Sequence, residues 1–101
     1  MLGALGTLAA TAVKVAIVFG AGPNIGGTIA HCLAKEGARI VVSDRAQAAA
    51  EGTAQFLTER GFDAIATAGD ATIEEDVSRI VAEGVAHYGY VDTMVNLAGA
   101  V

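Results

Sequence analysis

The residues best suited to chemistry lie where apolar runs end. Gly20, Gly22 and Gly26 bracket Pro23 and Asn24 in a turn that follows the run VKVAIVF and opens a helical pattern. Without Cβ atoms a diphosphate can approach the backbone, and a helix N-terminus offers N–H donors and partial positive charge. Pro23 fixes φ near the helix start. Asn24 is among the few non-glycine residues that tolerate left-handed backbone, so it can stand where glycine would serve. Asp44 comes 24 residues after Gly20, at the end of the next apolar run. A carboxylate there can accept both hydroxyl hydrogen bonds of an adenosine ribose. Turn, helix, strand and acid together predict a dinucleotide site. Asp44 would repel a 2′-phosphate, which favours NAD. Arg45 beside it keeps NADP open, since a guanidinium pairs with a phosphate bidentately if Asp44 turns away.

The elements that must position these residues follow from periodicity. Residues 13–19 form a short β-branched run, as expected of a strand buried on both faces. Ile25, Ile29 and Leu33 then recur every four residues, a helical stripe with Gly37 as its stop. A second strand is expected over 39–43, ending at Asp44, then an alanine-rich helix over 46–60 closed by Gly61. A weaker strand over 63–68 leads into Gly69-Asp70. Thr72 and Glu75 have capping-box spacing, and Glu74, Glu75 and Asp76 put negative charge in the first turn of a third helix that stops at Gly89. A fourth strand is expected over 91–97, ending at Ala98-Gly99. The order is β-α-β-α-β-α-β. Crossover helices make the strands parallel, and right-handed crossovers leave a sheet ordered 3-2-1-4 as the simplest topology. This is an α/β fold, half of a doubly wound, Rossmann-like sheet, in which ligands bind beyond the carboxyl ends of the strands.

Composition narrows the function classes. The chain has 101 residues, 53% hydrophobic, and a formal charge of −5, which disfavours both disorder and a nucleic-acid surface. Residues 1–45 carry four cations and two anions, and residues 46–101 carry two cations and nine anions. An anionic ligand is therefore better tolerated by the first half. The single cysteine, Cys32, cannot form an internal disulfide and reads as a small core residue. Its isolation points to a reducing, cytoplasmic compartment. Residues 1–12 are apolar and uncharged but lack a basic n-region, so they read as an N-terminal extension to a domain over 13–101. Lys14 interrupts the only stretch that approaches membrane-spanning length, and no membrane partner is expected. His31 and His87 read as solvated or half-solvated helix residues, and no metal-ligand spacing is present.

In motif order and spacing the chain resembles the N-terminal half of a short-chain dehydrogenase/reductase. The family's first turn is Thr-Gly-x-x-x-Gly-x-Gly. Residues 20–26 match its first and last glycines, with Asn24 in place of the middle glycine and Phe19 in place of the threonine. Asp70-Ala71-Thr72 resembles the acidic end of the family's third strand. Asn96-Leu97-Ala98-Gly99 resembles its Asn-Asn-Ala-Gly, with Leu97 replacing an asparagine. The resemblance implies that Gly20, Pro23, Ile25 and Gly26 line the pyrophosphate and nicotinamide ribose. It further implies that Asp44 and Arg45 select the adenosine ribose. Asp70 would hydrogen-bond the adenine, Ala71 would pack on its ring, and Ala98 and Gly99 would pass beneath the cofactor.

The resemblance also implies a catalytic serine and a tyrosine four residues before a lysine. Tyr88 and Tyr90 are followed at that distance by Asp92 and Met94, so neither makes the motif. The expected function is the NAD(P)-binding portion of an oxidoreductase moving hydride between nicotinamide and a carbonyl or alcohol, inactive alone. The alternatives are a non-catalytic dinucleotide-binding or regulatory module, or a decayed product. A fourth strand at an exposed sheet edge invites pairing with a second copy.

Overall fold

The computed structural model describes residues 13–22 and 24–97. Four strands, β1 (Val15–Phe19), β2 (Arg39–Asp44), β3 (Ala64–Ala68) and β4 (Thr93–Asn96), alternate with helices α1 (Ile25–Lys35), α2 (Gln47–Glu59) and α3 (Glu74–Tyr88). The sheet is ordered β3-β2-β1-β4, and every neighbouring pair is parallel, as the element order requires. Ile17 pairs with Val41 on one side and Met94 on the other, so β1, like β2, is an inner strand of the sheet.

Burial explains the unbroken apolar runs. Ala16, Val18, Ile40 and Val42 point to the face covered by α1 and α2, where Ala30, Ala34, Ala50, Ala54 and Leu57 meet them. Ile17, Phe19 and Val41 point to the opposite face, where Ile80 of α3 packs with Val77 and Val81 beside it. All five residues of β1 are buried. β4 is thinly covered: Met94 is 55% exposed, and among the described residues the strand is paired on one side only.

The stripe expected to bury α1 is displaced by one residue. Ile25 is 72% exposed, and the buried positions are Gly26, Ala30 and Ala34. The reason is proximity. An ideal Cβ on Gly26 would stand 2.0 Å from the Gly20 carbonyl oxygen, so the helix face against the sheet must carry the smallest residues, and the branched ones flank it. The same rotation leaves Cys32 exposed, which corrects its reading as a core residue. The expected capping box is also absent. Ile73 is the N-cap of α3 without a side-chain cap, and Thr72 Oγ1 donates to Asp70 Oδ1 at 2.6 Å. The helix begins one residue later than the spacing assumes, so Thr72 stands outside the cap position and its hydroxyl and N–H both turn back to Asp70. The glycine stops hold: Gly37, Gly61 and Gly89 have φ of +100, +85 and +94.

The limits of β1, β3 and β4 move inward by one or two residues, and β2 runs one residue further, to Asp44. The start of β1 and the residues before it are tied to the chain before β4: Val15 N–H donates to Asp92 Oδ2 at 2.9 Å, and the Tyr90 hydroxyl donates to the Val13 carbonyl. Ser43, fully buried near the carboxyl end of β2, has an Oγ without a hydrogen-bond partner. Desolvating a hydroxyl without compensation costs about 1–3 kcal/mol. Ser43→Ala is therefore expected to stabilise the fold by about 0.5–1 kcal/mol, read as a raised urea midpoint at unchanged slope. A lowered midpoint would mean that the hydroxyl is satisfied.

Candidate functional site

The carboxyl ends of β1, β2 and β4 enclose a cleft of about 460 Å³ lined by Gly20, Gly22, Asn24, Ile25, Gly26, Asp44, Ala49 and Leu97. It lies at the reversal of strand order, where β1 is flanked by β2 and β4. Gly20 ends β1 with φ +77, a left-handed conformation that turns the chain out of the sheet and into the loop. The Ala21 N–H donates to the Ser43 carbonyl at 2.9 Å, which fixes the start of the turn to the end of β2.

The mouth of α1 is electrostatically open. Its N-cap residue, Asn24, makes no side-chain cap, and no acidic residue stands in the first turn. At α3, by contrast, Glu74, Glu75 and Asp76 occupy the corresponding positions. An anion at the α1 terminus would meet the dipole's positive end without a competing carboxylate in the helix's own first turn. Asn24 takes φ −96, outside the left-handed region, so it does not substitute for glycine in the way expected. Its carbonyl instead accepts the Thr28 N–H at 3.1 Å and the Thr28 hydroxyl at 3.2 Å.

Asp44 faces this mouth from β2. Its Oδ1 accepts the Ala46 N–H at 3.0 Å, and its backbone carbonyl accepts the Gly69 N–H at 3.0 Å. Both bonds hold the carboxylate at the strand end. A Cβ added to Gly22 would lie 3.3 Å from Asp44 Oδ2 and 4.0 Å from the Ala49 Cβ. A side chain at residue 22 would crowd the gap between turn and carboxylate. Such a cradle, an open helix terminus with a fixed acceptor opposite, suits a diphosphate joined to a ribose with vicinal hydroxyls.

Arg45 and Asp70 sit beside the cleft as an ion pair, with Arg45 Nε 3.6 Å from Asp70 Oδ2. Asp70 accepts the Thr72 N–H at 2.8 Å and its hydroxyl on the same oxygen. These two hydrogen bonds, with the Arg45 charge adding, hold its carboxyl below the ordinary aspartate value. The end of β3 that carries it is anchored by α3. Arg79 Nη2 donates to the Ala68 carbonyl at 2.6 Å, and Thr67 Oγ1 donates to Glu83 Oε1 at 2.8 Å.

Of the other residues singled out in the sequence, Ala71 packs against the α3-side cluster of Ile17, Phe19, Val41 and Ile80 and does not line the cleft. Asn96 pairs with Phe19 at the end of β4 and is also outside the lining. Pro23, Ala98 and Gly99 lie outside the described residues. Two lining residues escaped the sequence reading, Ala49 and Leu97. Ala49 carries no chemical signal, and only the close approach of α2 to the turn brings it in. Leu97 stood out as the apolar replacement in an asparagine pair, which was a usable signal. Its N–H donates to the Phe19 carbonyl at 3.0 Å, placing it at the cleft's edge.

Known proteins resemble this chain in sequence and fold. A family model described as short chain dehydrogenase matches residues 14–101. Versicolorin reductase 1 of Aspergillus parasiticus is 40% identical over 89 residues, covering 87% of this chain and 34% of that protein. The uncharacterized oxidoreductase YxjF of Bacillus subtilis is 44% identical over 86 residues, covering 85% and 34%. Among solved structures, a hydroxysteroid dehydrogenase from Escherichia coli superposes with a TM-score of 0.79 at 37% identity, over 82% of this chain and 35% of that one. A 7α-hydroxysteroid dehydrogenase complexed with NADH and 7-oxo glycochenodeoxycholic acid gives the same score and identity, over 82% and 32%. The chain thus spans about a third of the length of the relatives it matches. With the family model matched along residues 14–101 and the parallel 3-2-1-4 sheet in place, the chain belongs to the short-chain dehydrogenase family.

Proposed function

We propose that the cleft binds a nicotinamide adenine dinucleotide, and that the chain is the cofactor-binding portion of an oxidoreductase moving hydride between that cofactor and a carbonyl or alcohol. The observation that carries the reading is the pairing of an uncapped α1 terminus with a fixed Asp44 carboxylate across the side-chain-free Gly22. The diphosphate would rest over Gly20, Gly22 and Gly26, and Asp44 would take the adenosine ribose hydroxyls. The NADH bound to a relative of 37% identity supports a nicotinamide cofactor for this fold. NAD is the proposed form, because the Asp44 carboxylate repels a 2′-phosphate.

The described tyrosines do not serve the chemistry in this reading. Tyr88 donates to Asp63, just before β3, and Tyr90 to the Val13 carbonyl, just before β1, so both lie at the amino ends of the strands, away from the cleft. Burial, with the hydrogen bond to Asp63 and its charge, pushes the Tyr88 hydroxyl above its ordinary value, opposite to what proton transfer near neutrality needs. The 101 residues alone are proposed to bind without turning over. No helix of the described residues is long and apolar enough to cross a membrane. A reducing, cytoplasmic setting is proposed from the lone, exposed Cys32.

Titration of the chain with NADH by calorimetry is expected to give saturable heat within about 1 mM, corresponding to roughly −4 kcal/mol. No heat and no thermal shift at that concentration would refute the reading.

A further inference from the structure

Arg45 leaves β2 directly after Asp44 but turns toward β3, where its Nε meets Asp70 Oδ2 at 3.6 Å. The two partners differ in freedom. Asp70 is fixed before Arg45 reaches it: Oδ1 accepts two bonds from Thr72, and the Asp70 N–H donates to Asp76 Oδ2 at 2.9 Å. Its side chain is 24% exposed against 76% for Arg45. Arg45 is therefore the movable member, and an exposed pair of this kind biases its position without locking it. Asp44, the preceding residue, faces the cleft.

We propose that Asp70 is a specificity-determining positioning residue for the nucleotide. By drawing Arg45 toward the end of β3, it withholds the guanidinium from a phosphate on the adenosine 2′-oxygen. Preference for the unphosphorylated ribose is then set by two carboxylates, Asp44 by repulsion and Asp70 by diverting the nearby cation. A planar guanidinium released from Asp70 can pair with the 2′-phosphate through two N–H donors. The inference rests on the proposed reading of the cleft as a dinucleotide site.

The test compares binding of ADP-ribose and its 2′-phosphate to the whole chain by calorimetry at low ionic strength, where exposed charges act most strongly. Asp70→Asn retains an oxygen for Thr72 but loses the charge that holds Arg45. The ratio of the two dissociation constants is expected to move toward the phosphorylated ligand by about fivefold, the most that an exposed pair commonly supplies. Asp70→Glu is expected to restore the ratio, and adding Arg45→Ala to Asp70→Asn is expected to abolish the shift. Any contact of Asp70 with the adenine acts on both ligands alike and leaves the ratio unmoved. A ratio unchanged by Asp70→Asn, or a shift that survives loss of Arg45, overturns this inference and leaves the cleft reading standing. Failure of both ligands to bind the unmodified chain overturns that reading and the inference with it.

Discussion

Asp44→Ala is expected to weaken ADP-ribose binding by about tenfold or more, because even one hydroxyl hydrogen bond to a charged acceptor contributes about 1.5–3 kcal/mol net of its exchange with water. The carboxylate is only partly exposed, and its Oδ1 already holds the Ala46 N–H, so Oδ2 and the second lone pair of Oδ1 remain for the ligand. The substitution also removes the charge that opposes a 2′-phosphate. The phosphorylated ligand should therefore lose less affinity than the unphosphorylated one, or gain some. Calorimetry of both ligands separates these effects. Asp44→Asn keeps an acceptor for Ala46 and guards against a disrupted turn. Equal affinity of wild type and Asp44→Ala for ADP-ribose would remove Asp44 from the site.

Gly26→Ala is expected to be the most damaging single methyl in the described chain. The added Cβ would meet the Gly20 oxygen at 2.0 Å, the Ala21 Cα at 2.7 Å and the Gly20 carbonyl carbon at 2.9 Å. All three are backbone atoms of the turn that leaves β1, so relief requires α1 to lift from that turn. Overpacking of this kind costs about 3 kcal/mol or more, equivalent to a melting temperature lower by at least about 10 °C for a domain of this size. Gly52→Ala is the matched control. Nothing lies within 4 Å of its Cβ position in the middle of α2, and alanine there should add about 0.5–1 kcal/mol. Circular dichroism melts of the two variants check both signs. A Gly26→Ala variant as stable as wild type would show that the helix and turn are further apart than described.

The sheet order and element sequence were legible because each carries a redundant signal. The runs at 15–19 and 40–42 are apolar on both faces, and the glycine stops at 37, 61 and 89 agree with the periodicity before them. What the pattern missed depends on distances between elements. Ile25, Ile29 and Leu33 make as convincing a stripe as Gly26, Ala30 and Ala34, and only the 2.0 Å approach at Gly26 decides between them. Cys32 was misread for the same reason. The capping box failed because α3 starts one residue later than the spacing at 72 and 75 assumes, with Ile73 as its N-cap, while Thr72 is drawn back to Asp70. Within the cleft, the glycines and Asp44 were found from type and spacing, whereas Ala49 enters only through helix packing. The pairing of Arg45 with Asp70 joins two strand ends that are 25 residues apart, and nothing local announces it.

The position of β1 has a consequence for how the chain is made. β1 is an inner strand yet the first of the four to be synthesised, and its pairing with β4 joins Ala16 to Thr93. At about 5–20 residues per second, β1 waits roughly 4–15 s on the ribosome before that partner is translated. During that interval VAIVF has β2 at most along one edge and a free row of backbone donors and acceptors along the other. Protein yield in the cell would then depend on how well the nascent chain is shielded over those seconds, independently of the stability of the finished fold.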